Sequence, residues 1–278
     1  METKIVQLSM EQEDMLEKNL IWLIGDAETT TIANFFAQNF FLINHPHFDR
    51  FLNSFTWRGE NVVRFFDTNQ KKGFKERYDY FFYNGFEKCW IPYLRKLLLN
   101  RIYAQVKDLA KLILLNEAEI TLSLDIILKI VPNSKIIVVV DEGESTIISQ
   151  VSDFLKNKKN MWQGIKRVSY EDKKTVIEYF AKLWANQKKL LIEFLRQFTN
   201  HSFLIISWME FVNHPDDTLL KISKFLDVKL DSEDIARKII ESNKKNSELN
   251  LPRNFTDEDK QLIRKIISDV EHQLKSLV

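Results

Sequence analysis

Ile136-Ile137-Val138-Val139-Val140, followed by Asp141-Glu142-Gly143-Glu144-Ser145, is the stretch that decides the fold. Five consecutive β-branched residues are stiff at χ1 and favour extended backbone. Their lack of polar alternation predicts a strand buried on both faces, as in a parallel sheet covered by helices. The segment Asp141–Ser145 then reads as a loop leading into a helix. Upstream, Ile21-Trp22-Leu23-Ile24 is a second short apolar run. It ends at Gly25 and precedes Thr29–Ile43, whose Ile32, Phe35, Phe36 and Phe40 suit a helix. Downstream, Phe203-Leu204-Ile205-Ile206 reads as a third strand, and helical patterns run over Val176–Phe198 and Asp217–Phe225. Strands alternating with helices imply right-handed crossovers. The expectation is an α/β three-layer sandwich with a central parallel sheet.

Composition bounds what such a fold does. With 278 residues, 45% of them hydrophobic, the chain can bury a substantial core within a single domain, 1–278. Only 6 Gly and 5 Pro leave no composition-marked linker. The 40 basic and 39 acidic residues nearly cancel, so no global field points to nucleic acid or an anionic membrane. A single cysteine, Cys89, forms no internal disulfide, and the polar stretch Met1–Glu13 lacks a signal-peptide pattern, so a cytoplasmic location is expected. The longest run without Asp, Glu, Lys or Arg, Thr29–Phe48, is broken by Asn34, Gln38, Asn39, Asn44 and Pro46, which argues against a membrane span. Residues 56–110 combine Arg58, Arg64, Lys71, Lys72, Lys75, Arg77, Arg95, Lys96 and Arg101 with many aromatics. They read as a helical insertion: either a lid over the strand C-termini, where α/β proteins bind ligands, or solvated basic faces over an aromatic core.

The C-terminal half resembles the sulfotransferase superfamily. Ser207-Trp208-Met209-Glu210-Phe211-Val212, then His214-Pro215-Asp216-Asp217-Thr218-Leu219-Leu220 and Lys221 to Val228, is similar to that family's strand with a Tyr-Glu-Asp-Leu-type turn, a Pro-containing loop and a helix closing in Phe-Leu-Gly-Leu. Leu183-Trp184-Ala185-Asn186-Gln187 and Pro132-Asn133-Ser134-Lys135 resemble two further family segments. The resemblance covers about half of the chain. It implies a P-loop-like architecture and a sulfate donor, 3′-phosphoadenosine 5′-phosphosulfate (PAPS), held by two loops. The first has a Pro-(Lys/Arg)-Ser-Gly-Thr-Thr pattern whose amides and helix N-terminus cradle the phosphosulfate. The second, Arg-(Asp/Asn)-Pro-Arg-Asp with a downstream Ser, binds the 3′-phosphate.

By this resemblance the first loop is Gly25-Asp26-Ala27-Glu28-Thr29-Thr30 and the second is Asp141-Glu142-Gly143-Glu144-Ser145 with Ser149. Asp26, Asp141 and Glu144 stand where the family carries bases. Two unit charges about 4 Å apart interact by roughly 4 kcal/mol at an effective dielectric near 20, and reversing the sign doubles the swing. Ordinary PAPS use is therefore not expected. Three explanations stay open: the donor has been lost; another ligand, an amine or a divalent cation on Asp26, Asp141 and Glu142, occupies the cleft; or a base from elsewhere, such as Lys166, Arg167 or Arg253, restores the charge. Each acid is also an ordinary helix N-terminal residue. For a general base the resemblance calls for a His or Glu, and the candidates are His45 and His47, flanking Pro46, and Glu117 or Glu119. No spaced Cys/His zinc pattern, Walker-type Gly-Lys-Ser or Gly-x-Ser-x-Gly elbow is present. The function these residues suggest is the binding of a small intracellular molecule. The alternative is transfer of a sulfuryl or related group to a hydroxyl or amine.

Overall fold

The computed structural model describes residues 8–25, 28–44, 87–106, 108–117, 123–156, 173–199, 201–230, 233–239 and 255–277. Five strands form one parallel sheet: β1 (Leu20–Ile24), β2 (Phe41–Asn44), β3 (Ile113–Asn116), β4 (Lys135–Val140) and β5 (Phe203–Ser207). The order is β2-β3-β1-β4-β5. The three strands expected from sequence are thus present and mutually parallel, with β1 against β4 and β4 against β5.

The helices are α1 (Met10–Lys18), α2 (Glu28–Phe35), α3 (Glu87–Val106), α4 (Leu124–Ile130), α5 (Gly143–Lys156), α6 (Lys173–Gln197), α7 (Trp208–Asn213), α8 (Pro215–Leu226) and α9 (Asp257–Lys275). Alternate residues of the central strands separate them into two layers. Leu20, Trp22, Ile24, Ile136, Val138 and Val140 face a core closed by α1, α3, α4, α5, α6 and α9. Ile21, Leu23, Leu114, Ile137 and Val139 face a second core closed by α2, α7, α8 and residues 233–239. This is the three-layer sandwich that the unbroken apolar runs require.

One expectation is corrected. The helix read over Thr29–Ile43 stops at Phe35, residues 36–40 turn, and Phe41–Asn44 becomes an edge strand. The Phe41 amide donates to the Leu112 carbonyl at 2.9 Å, and pairing with β3 follows in register, so sheet extension overrides the local helical periodicity. Of the insertion, Glu87–Val106 is helical and residues 56–86 lie outside the described residues. No described helix is long and apolar enough to cross a membrane.

At the N-terminal edge of the sheet, Arg95 of α3 ties α1 in place. Its guanidinium meets Glu17 at 2.5 Å, Asp14 at 2.9 Å and Glu13 at 3.4 Å, and donates to the Ile130 carbonyl at 3.1 Å. Glu17 is 1% exposed, and its other oxygen accepts the Asn133 amide at 2.6 Å, so this buried carboxylate is fully bonded. Its bonds are to the scaffold, at the end of the sheet away from the loops that follow β1 and β4.

Candidate functional site

In open α/β sheets, ligands bind beyond the carboxyl ends of the strands. Here β1 and β4 lie side by side, so the loops that follow them open from neighbouring strands, as the sequence reading required.

The loop after β1 begins at Gly25, whose φ is +152°, a conformation that side-chain-bearing residues avoid. A Cβ there would lie 2.4 Å from the Val139 carbonyl oxygen and 3.2 Å from Thr29 Cγ2. Glycine is needed on two counts, backbone angle and contact with β4. Glu28 opens α2. Thr29 is buried, and Thr30 Oγ1 accepts a hydrogen bond from Asn116 Nδ2 at 3.2 Å.

Asn116 was not singled out by the sequence. It ends β3, is fully buried, and stands in register with Asn44 at the end of β2. Its Nδ2 bridges Thr30 and the Asn44 Oδ1 at 3.0 Å, joining the first turn of α2 to the ends of two strands. Its Oδ1 is buried and accepts no hydrogen bond among the described residues. An unsatisfied buried acceptor costs about 1–3 kcal/mol, which makes Asn116 an expensive residue for a four-residue strand that is otherwise Ile-Leu-Leu. The next residue, Glu117, is also buried, and its amide donates to the Leu23 carbonyl at 3.2 Å. Of the candidate bases, Glu117 is thus placed at the strand edge between β1 and β3. His45, His47 and Glu119 lie outside the described residues, as do Asp26, Arg253, Lys166 and Arg167.

The loop after β4 is braced from within. Asp141 is buried, and its Oδ2 accepts from Thr146 Oγ1 at 3.2 Å and Ser145 Oγ at 3.5 Å, hydroxyls of the first turn of α5. The Gly143 amide donates to Glu271 Oε1 of α9 at 3.0 Å. Glu144 forms a two-point ion pair with Arg264 of α9, its second contact at 3.2 Å. Arg264, Ile267 and Glu271 lie at i, i+3 and i+7, so one face of α9 lies across the start of α5. A Cβ on Gly143 would meet Ile267 Cδ1 at 2.8 Å and Trp184 Cζ2 and Cη2 at 2.9 Å. Glu142 is exposed, and Ser149 is exposed on the second turn of α5.

The geometry revises the electrostatic picture. Glu144, one of the two acids of this loop that the resemblance matches to arginines, has a guanidinium partner, and the base comes from α9 rather than from any residue the sequence suggested. The separation of 120 residues, on a helix that reads as an ordinary charged surface helix, left no sequence signal. Of the proposed cation ligands, Asp141 and Glu142 are described and Asp26 is not. Among the described residues no three His, Cys, Asp or Glu side chains are grouped to hold a metal ion.

Comparison with known proteins agrees with this architecture. The sulfotransferase family model matches residues 32–232. Among solved structures, the chain is similar to a sulfotransferase domain from the curacin biosynthetic pathway, at 14% identity and a TM-score of 0.50, covering 90% of this chain and 96% of that one. It is also similar to a sulfotransferase from Alicyclobacillus acidocaldarius, at 11% identity, TM-score 0.50 and coverage of 92% and 94%. A third similar structure is a sulfotransferase from Mycobacterium avium, at 13% identity, TM-score 0.50 and coverage of 90% and 76%. No curated protein sequence matches the chain.

Proposed function

The chain belongs to the sulfotransferase family, and from that premise we propose that it is a diverged member that binds a small molecule at the C-terminal sheet edge without the usual use of PAPS. The observation that carries this reading is the internal bonding of the loop after β4. Asp141 is bonded to Thr146 and Ser145, Gly143 to Glu271, and Glu144 to Arg264. Hydrogen-bonding capacity and charge that a 3′-phosphate would require are directed to groups of the chain itself. Polar character at the edge instead gathers at Thr30, Asn44, Asn116 and Glu117, groups suited to hydroxyls and amines rather than to phosphates. A cytoplasmic site of action fits the single cysteine.

A second reading, an active transferase with a changed or metal-bridged donor, is favoured by Glu117. This carboxylate is buried directly beyond β3 and beside Asn116, where a general base would meet an acceptor hydroxyl. In that reading His45 and His47 are the alternative bases, and Asp26, Asp141 and Glu142 supply oxygen ligands for the cation.

Thermal shift and calorimetry with adenosine 3′,5′-bisphosphate, PAPS, Mg²⁺, Mn²⁺ and Ca²⁺, separately and combined, test both readings, since a ligand of the native state stabilises it by mass action. The expected result is no saturable response to either nucleotide alone. Saturable micromolar binding of adenosine 3′,5′-bisphosphate with no added cation would overturn the first reading. A nucleotide response that appears only with a divalent cation would replace it with the second.

A further inference from the structure

Asn116 carries more polar capacity than the fold uses. It closes β3 after Ile113-Leu114-Leu115 and is fully buried. Both hydrogens of its Nδ2 are committed, to Thr30 Oγ1 at 3.2 Å and to Asn44 Oδ1 at 3.0 Å. These two acceptors set the direction of the amide, because reversing it alone would place oxygen against oxygen at Asn44. The bridge needs only the nitrogen. Asn116 Oδ1 is left buried with no hydrogen-bond donor among the described residues, and a native chain seldom keeps such an atom without a use for it. Asn44, at the end of β2, is exposed, so the Asn116 amide lies one hydrogen bond below the surface.

The surroundings specify the donor that this oxygen suits. Glu117, the next residue, adds a buried carboxyl group, which only accepts hydrogen bonds when ionised. Among the described residues that directly follow β1, β3 and β4, namely 25, 28–31, 117 and 141–146, there is no Lys or Arg. Arg264, which reaches this edge from α9, is paired with Glu144. A ligand hydroxyl would give Asn116 Oδ1 its single hydrogen but would bring two lone pairs to a wall short of donors. An ammonium group brings three hydrogens and no lone pair, and its charge has the sign that acids at this edge attract.

We infer that Asn116 selects the ligand of this edge for a protonated primary amine, one N–H of which donates to Asn116 Oδ1. The inference rests on the reading of this edge as a small-molecule site without the usual use of PAPS, and deepens it by giving the chemical class of the ligand. Thr30 and Asn44 hold the amide in place before the ligand arrives, so its carbonyl is presented with little further ordering of the side chain. Discrimination against an alcohol of the same skeleton comes from the lone pairs that the alcohol would bury unsatisfied.

The test is thermal shift and calorimetry on the full chain near neutral pH with matched pairs: phenethylamine and phenethyl alcohol, hexylamine and hexanol, diaminobutane and butanediol. At least one amine should bind saturably, and its alcohol should bind about tenfold more weakly or not at all. Asn116→Leu should leave the melting temperature of the unliganded chain unchanged or raised, because it removes an unsatisfied acceptor, and should weaken the amine by about tenfold or more. Asn116→Asp keeps an acceptor, to which the Thr30 hydroxyl can donate, and should retain the amine; it decides the matter alone if the leucine variant fails to fold. Alcohols that bind as well as their amines, the absence of binding by every amine, an Asn116→Leu chain that binds like wild type, or a folded Asn116→Asp chain that binds no amine would each overturn the inference. Adenosine 3′,5′-bisphosphate titrated in parallel separates the two conclusions: its saturable binding overturns the reading of the donor loops, whereas loss of the amine preference without nucleotide binding overturns only the role of Asn116.

Discussion

The loops after β1 and β4 begin from adjacent strands of one sheet, yet they are held by different physics. The first is fixed by backbone geometry: Gly25 adopts a φ of +152° and lies against the Val139 carbonyl, in contact with its neighbouring strand. The second is fixed by side chains that arrive from α9, through Glu271 to Gly143 and Arg264 to Glu144. A backbone constraint tolerates no substitution at its glycine, whereas a side-chain brace can be removed piece by piece. The two loops of one cleft should therefore fail in different ways.

The glycines give the sharpest contrast. A methyl group on Gly25 meets a backbone oxygen at 2.4 Å in a disfavoured conformation, with no flexible atom to yield. Gly25→Ala should cost more than about 3 kcal/mol, enough to deplete soluble folded protein. Gly143→Ala meets the ends of Ile267 and Trp184 at 2.8 and 2.9 Å, of which the isoleucine can rotate and the indole cannot. The expected loss is about 1–3 kcal/mol, the range of overpacking. Urea melts of both variants measure the difference, and equal costs would mean that the first loop is no more constrained than the second.

Removing the brace is a milder perturbation. Glu271→Ala frees the Gly143 amide and deletes a carboxylate from a helix N-terminus, for an expected loss of about 1–2 kcal/mol. Arg264 is 64% exposed at its side chain, where solvent screens the ion pair, so Arg264→Ala should cost less than Glu271→Ala. Should Arg264 prove the more costly, charge neutralisation of Glu144 rather than capping of Gly143 governs the loop.

The smallest effect is a pH dependence. Burial pushes the Asp259 carboxyl upward, but hydrogen bonds from Lys173 and the Thr256 amide outweigh it and hold the group below the ordinary carboxylate range. Asp259 near the start of α9 thus joins that helix to Lys173 at the start of α6. A depressed carboxyl stabilises the fold above its unfolded value, near 3.9, and that contribution is lost as pH falls through the lower folded value. Lys173→Met should flatten the melting-temperature profile below about pH 4 and leave it parallel to wild type near neutrality.

Much of this architecture was legible from local pattern. The uninterrupted apolar runs of β1, β4 and β5 admit few alternatives, and their parallel pairing follows from the helices between them. The edge strand β2 was not legible, since Phe41–Asn44 continues a spacing that suits a helix and becomes a strand only when β3 is beside it. The acids of the second loop were visible, but their partners were not: Arg264 and Glu271 sit on a charged amphipathic helix where nothing local distinguishes a bracing residue from a solvated one. Asn116 was equally silent, because one amide at the end of a short apolar run acquires meaning only beside Asn44 and Thr30.

The brace across the second loop joins residues 128 apart in the chain. Closing a loop of that size costs about as much entropy as the Gly25–Val139 contact, which spans a similar length of chain, because the dependence on length is only logarithmic. The difference is one of kind: the β1–β4 contact belongs to the sheet, whereas the brace is made by side chains that reach the loop only once α9 has docked. The loop after β4 then takes its final form with the docking of α9. Kinetic traces of Glu271→Ala should show its cost almost wholly as faster unfolding with refolding unchanged, the behaviour of a contact absent from the transition state.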